Sequence, residues 1–189
     1  MEIIFIFLIL IYSIILHEIS HGYVAYKLGD PTAKYEGRLS LNPIPHIDPI
    51  GTILLPALTF LTSGFIFGWA KPVPYNPYNL KNPNRDSIYI ALAGPLTNIC
   101  LAIIFSFLYK FFPLQAFLFG LRINLVLAFF NLLPIPPLDG SKILLTKIPL
   151  EIYQYLEIYG FILIIIFMIF FFPYFSNFIN LLQNFLIRI

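Results

Sequence analysis

His17-Glu18-Ile19-Ser20-His21 places two imidazoles four residues apart, with a carboxylate beside the first. On a helix, positions i and i+4 project from one face, so both rings can hold one tetrahedral metal ion. The carboxylate at i+1 then lies beside a metal-bound water. Zinc lowers the pKa of such a water towards 7, and the carboxylate can take its proton as the water attacks a carbonyl. The pattern predicts His17 and His21 as ligands of one Zn2+ per chain and Glu18 as the general base. Two ligands leave the site incomplete. By residue type, the third comes either from His46, the one other histidine, or from Asp139, a carboxylate between a proline-rich break and Gly140. Zinc accepts both types.

These residues sit in an apolar chain. Of 189 residues, 59% are hydrophobic, 21 are Phe, and only 11% are charged, against roughly 25% in a soluble domain. Lipid must cover so much apolar surface. Two imidazoles and a carboxylate well inside an apolar helix are expensive there and need a partner, which favours metal over a buried polar cluster. A net charge of +2, with the basic residues in loops, argues against nucleic acid. The one cysteine, Cys100, excludes an internal disulfide and a Cys-rich zinc site; it is expected to pack as a small hydrophobe.

Residues 3–27, 87–109, 115–133 and 154–172 form long apolar stretches, about the 20 helical residues needed to cross hydrocarbon. The first opens on Met1-Glu2 without basic residues or a small-residue cleavage site, which reads as a retained helix rather than a signal peptide. A fifth stretch, 50–67, is shorter and carries Gly51, Pro56 and Gly64. A sixth, 174–189, is amphipathic and suits the interface. Proline clusters at 43–49, 72–83 and 134–137 mark where helices stop. From Tyr35 to Asn42, Tyr35, Gly37, Leu39 and Leu41 alternate with polar residues, a period of two that predicts a strand. The expected fold is an all-α polytopic membrane protein with about four to six transmembrane or re-entrant helices and a short membrane-associated β-hairpin after the first. One domain is expected over 1–189, with a catalytic core of about 3–141 and C-terminal helices over 142–189.

Three motifs in order now resemble a known family. The first is His17-Glu18-Ile19-Ser20-His21 in the first helix. Ala93-Gly94-Pro95-Leu96-Thr97-Asn98 follows, and then Asn131-Leu132-Leu133-Pro134-Ile135-Pro136-Pro137-Leu138-Asp139-Gly140. Together they resemble the site-2 protease family of intramembrane zinc metalloproteases, from about Leu16 to Ser141. Gly29-Asp30-Pro31-Thr32-Ala33, Gly37-Arg38-Leu39, His46-Ile47-Asp48-Pro49, Gly51-Thr52 and Phe67-Gly68-Trp69-Ala70-Lys71-Pro72 are similar to its compact branch, without PDZ or CBS domains. Ser141 departs from the second Gly common after the Asp-Gly pair. The resemblance implies His17, His21 and Asp139 as zinc ligands and Glu18 as general base. It places Asn98 and Asn131 near the site, donating to the substrate backbone or oxyanion. His46 is left with a role behind the ligands, at a gate, or in a structural hydrogen bond of its loop.

A shared zinc constrains topology. If 50–67, 87–109 and 115–133 all crossed, His21 and Asp139 would lie on opposite sides, so 50–67 is expected to dip in and return or stay peripheral. The loops 27–49, 68–86 and 141–153 then share one side and hold Lys27, Lys34, Arg38, Lys71, Lys81, Arg85, Lys142 and Lys147, eight of the eleven basic residues. That side is expected to be cytoplasmic, with the site towards the cytoplasmic half of the cell membrane. The expected partner is a transmembrane protein substrate, unwound before cleavage and paired with the strand at 35–42. The rival reading is a membrane metal-binding or transport protein, which needs the ligands but not Glu18.

Overall fold

The computed structural model describes residues 2–54, 58, 61 and 70–188. Helix α1 runs from Glu2 to Lys27. An unbroken apolar run in lipid has only its own backbone to satisfy its N–H and C=O groups, and an α-helix does so within the segment. Ile4, Phe5, Phe7 and Leu8 remain exposed along its first turns, which is where lipid would lie.

The chain leaves α1 through Gly29, whose φ of +110° is a conformation suited to glycine, and reaches the fully buried Asp30. Asp30 Oδ1 accepts from the Thr32 N–H at 3.2 Å, the Thr32 hydroxyl at 2.5 Å and Asn79 Nδ2 at 2.7 Å, while Oδ2 accepts from the Asn76 N–H at 2.6 Å. One carboxylate therefore ties the exit of α1 to the loop at 76–79. Burial pushes the Asp30 carboxyl up, but the hydrogen bonds from Thr32, Asn79 and Asn76 outweigh it and hold it below the usual range. A lowered folded value stabilises fully above the unfolded value of about 4 and is lost as pH falls through the folded one. Asp30→Ala is expected to remove roughly 2–3 kcal/mol near neutral pH. Unfolding of both proteins in detergent at pH 7 and in acid checks this, and a gap that does not shrink in acid would refute it.

The same carboxylate explains why no strand follows. By engaging both Thr32 donors it starts a helical turn, α2 (Thr32–Tyr35). The Gly37 N–H then bonds Lys34 O at 3.1 Å and the Arg38 N–H bonds Ala33 O at 2.9 Å. Gly37 sits at φ +66°, which reverses the chain where a strand would extend it. The expected β-hairpin at 35–42 is therefore absent; no strand occurs among the described residues. Its alternation belongs to a capped turn.

Beyond the helical turns at Ile44–His46, Pro49–Leu54 and Pro77–Asn79 come α3 (Pro83–Phe111) and α4 (Gln115–Asn131). A 3-10 run covers Asp139–Thr146, followed by α5 (Leu150–Phe170) and α6 (Phe172–Arg188). Ile4–Lys27, Pro83–Phe111 and Glu151–Phe170 are long and apolar enough to cross a membrane. The 17 residues of α4 span about 26 Å at ~1.5 Å per residue. Most of the stretch 50–67, and Phe67, Gly68 and Trp69 of the motif after it, lie outside the described residues.

Contacts give the helix directions. His17 meets Asn98 while His21 meets Ile90, so α1 and α3 are antiparallel. Asn98 meets Asn124 while Phe105 lies against Phe117, so α3 and α4 are antiparallel too. Ala25, Leu80 and Ile90 form one apolar cluster, so the segment between α1 and α3 begins and ends at the same end of the bundle. A second cluster of Ala102, Leu121, Leu125 and Ile179 packs α6 across α3 and α4. One expectation changes here: Cys100 is exposed on α3 rather than packed. Arg122 Nη1 donates to Asn180 Oδ1 at 2.7 Å, tying α4 to α6.

Candidate metal centre

His17 and His21 lie one turn apart on α1 and face the Gly94 turn of α3. The close approach depends on glycine: a Cβ on Gly94 would lie 2.5 Å from His17 Cε1, His17 Nε2 and His21 Nε2. Each ring is pinned through its inner nitrogen. His17 Nδ1 lies 2.5 Å from Asn98 Oδ1, and His21 Nδ1 lies 2.7 Å from the Ile90 carbonyl. A carbonyl oxygen only accepts, so His21 carries its proton on Nδ1. The Asn98 amide is oriented by its Nδ2, which donates to Asn124 Oδ1 at 2.8 Å and Ser13 O at 3.3 Å. Its Oδ1 therefore faces His17, which must also carry its proton on Nδ1. Metal ligation needs neutral imidazoles, and in that form both Nε2 atoms present lone pairs.

Asp139 supplies the third atom. Its Oδ2 lies 3.1 Å from His17 Nε2 and 3.3 Å from His21 Nε2, while the two Nε2 atoms are 3.0 Å apart. Ligand atoms of a tetrahedral zinc with ~2.0 Å bonds are about 3.3 Å from one another. Asp139 Oδ2 is buried and has no hydrogen-bond partner among the described residues. With the rings neutral, three lone pairs converge, an arrangement that repels itself unless a cation sits among them. His17, His21 and Asp139 form the one group of described residues able to hold a metal in this way, and they fit zinc.

The 3-10 run beginning at Asp139 brings the carboxylate into reach. Gly140 is required there because a Cβ would collide with the backbone of Leu132 and Leu133 at the end of α4. Its closeness is to that helix end. Ser141 steadies the run, its hydroxyl donating to Leu138 O at 2.6 Å and lying 3.2 Å from the Tyr153 hydroxyl.

Glu18, next to His17, accepts from the Val73 N–H through Oε2 at 2.9 Å. His46 does not join the metal group. It is buried, its Nε2–H donates to Ser40 O at 2.9 Å, and its own carbonyl accepts from the Lys71 N–H at 3.0 Å. This is the structural hydrogen bond of its loop that the sequence left open. Asn98 is fully buried, with both amide hydrogens and its oxygen engaged, so it orients His17 and offers no donor to an oxyanion. Asn131 Nδ2 donates to Leu127 O, one turn back on its own helix, at 2.9 Å. Gly94, Ser13 and Asn124 are structural partners of the site that residue chemistry did not single out. The signal for Ser13 was its place one turn before His17. Asn124 donates to Ser13 Oγ at 2.8 Å and Gly120 O at 2.8 Å, completing a buried polar chain behind His17.

The chain resembles three proteins whose names read "Putative zinc metalloprotease". YwhC of Bacillus subtilis (strain 168) is 44% identical over 174 residues, covering 83% of this chain and 76% of that protein. MJ0611 of Methanocaldococcus jannaschii is 39% identical, covering 69% of this chain and 63% of its own. Rip2 of Mycolicibacterium smegmatis is 33% identical, covering 68% and 51%. The chain thus spans between half and three quarters of the length of these relatives. No family model matches, and no solved structure gives a significant match. With a zinc-compatible His-His-Asp cluster beside a poised carboxylate, and relatives of this extent and identity, the chain belongs to the zinc metalloprotease family.

Proposed function

We propose that this protein is an intramembrane metalloprotease of the site-2 type, hydrolysing peptide bonds of transmembrane substrates at or within the bilayer. The observation that carries the reading is the meeting of His17 Nε2, His21 Nε2 and Asp139 Oδ2 within 3.3 Å of one another, on and beside a helix apolar enough to span. One zinc per chain, held by these three atoms, would supply Lewis acidity and an acidified water. The chain's own residues do the rest. Asn98 and the Ile90 carbonyl fix the two imidazole tautomers. Glu18, its Oε2 held by the Val73 N–H, would take the proton of the attacking water and pass it to the leaving amine.

A substrate helix already satisfies its own backbone, so it must unwind before a carbonyl can approach. The favoured substrate is a single-span protein whose helix carries weak helix formers. The segment between α1 and α3 starts and ends together beside Ala25, Leu80 and Ile90, which supports an arrangement in which 50–67 makes no net crossing. With the basic loops on that side, the site lies in the cytoplasmic half of the cell membrane. A transport role would need the ligands alone, and the hydrogen bond that steadies Glu18 beside them favours hydrolysis.

Purified protein in liposomes, incubated with a panel of single-span substrates, is expected to cleave at least one of them. A zinc chelator should stop cleavage and added zinc should restore it. Cleavage indifferent to the chelator, or a zinc-loaded chain that cuts none of the panel, would overturn the reading.

A further inference from the structure

Glu18 is met by an unusual strap. Residues 70–76 carry no regular helix, and Val73 stands between Pro72 and Pro74. Proline has no N–H, so over 72–74 the strap offers a single backbone donor, that of Val73. This N–H is the one that reaches Glu18 Oε2 at 2.9 Å. The prolines also fix φ on both sides of Val73, which limits how far the donor can swing. The Val73 side chain is buried, and Gly22, one residue beyond His21, makes room for it: a Cβ there would lie 2.8 Å from Val73 Cγ1.

The strap is anchored from outside by Arg38, a guanidinium only 3% exposed. Arg38 Nη2 donates to Lys71 O at 2.6 Å and Pro72 O at 3.2 Å. On the other side, the Lys71 N–H donates to His46 O at 3.0 Å. A buried charge committed to the two carbonyls that lead into Val73 is costly to place and stiffens what it holds. Arg38 also belongs to the turn in which the sequence suggested a strand, so the geometry assigns that turn a different task.

We propose that Pro72-Val73-Pro74, held by Arg38, is the positioning element of Glu18. The Val73 N–H takes Oε2, which leaves Oε1 as the oxygen to act as base, and Arg38 acts through Val73. The inference rests on the protease reading of the same site. It predicts that removing one hydrogen-bond donor, without touching any side chain, slows the chemical step and leaves metal and substrate binding intact.

The direct test replaces the Val73 amide by an ester, incorporating the hydroxy-acid analogue of valine into the full chain, and compares Arg38→Gln with Arg38→Lys. The ester is expected to lower kcat by roughly tenfold to a hundredfold, the scale of a misplaced catalytic group, with KM within about twofold and zinc retained. Arg38→Gln should follow it, and Arg38→Lys should recover part of the loss. Unchanged kcat in the ester, or a loss that tracks lost zinc, overturns the proposal. If the unmodified, zinc-loaded chain cleaves nothing, the protease reading fails instead. The carboxylate infrared bands of Glu18, isolated by subtracting the Glu18→Gln spectrum, then decide this point. A band shift in the ester upholds the contact, and an unmoved band refutes it.

Discussion

Glu18→Gln is expected to abolish cleavage while leaving one zinc in place. The substitution keeps the size of the side chain and an oxygen that can still accept from the Val73 N–H, now 2.9 Å from Glu18 Oε2. What it removes is the ability to accept a proton at neutral pH. The metal-facing atoms belong to His17, His21 and Asp139, none of which the change alters. General-base catalysis is worth roughly 10²–10⁴ in rate, so kcat should fall by at least that factor while zinc per chain, measured by mass spectrometry, stays at the wild-type level. Loss of zinc in this variant would mean that Glu18 helps hold the ion. Retention of more than about a tenth of the activity would mean that another group takes the proton.

Much of the site was legible because its chemistry is local. His17, Glu18 and His21 share one helical turn, and the i, i+4 spacing dictates a common face whatever the fold. Asp139 could be recognised only through the motif around it, because bringing it to His17 requires α3 and α4 to return the chain to the same end. The four long apolar stretches were equally plain, since α1, α3, α4 and α5 need only length and hydropathy. The failures came where side chains outvote pattern. Tyr35 to Asn42 alternates as a strand does, but the Asp30 carboxylate captures Thr32 and the chain turns at Gly37. For His46 the pattern left several roles open, and the structure shows the structural one: its ring donates to Ser40 O and its carbonyl accepts from the Lys71 N–H. Asn98 carried the right chemistry for an oxyanion donor. Only the fold reveals that its oxygen already belongs to His17 and its hydrogens to Ser13 and Asn124.

Gly94→Ala should destroy the metal centre although it adds only one methyl group. That methyl would sit 2.5 Å from atoms of both imidazoles, so ordinary contact demands a shift of about 1 Å, where metal–ligand distances tolerate only ~0.2 Å. Neither ring can step aside cheaply. Asn98 and the Ile90 carbonyl hold their inner nitrogens, and Asp139 closes the opposite side. The remaining escape is for α1 and α3 to part, which would pull Asn98 from His17 and break the tautomer that bares Nε2. Alanine is about 1 kcal/mol better than glycine inside a helix, so α3 itself gains and the damage is confined to the interface. The variant should therefore keep its helical circular dichroism while zinc affinity, measured by competition with a chromophoric chelator, falls by roughly a hundredfold or more. Wild-type affinity in Gly94→Ala would show that the imidazoles do not approach α3 as closely as the geometry requires, and loss of helicity would place the damage in folding rather than in the metal site.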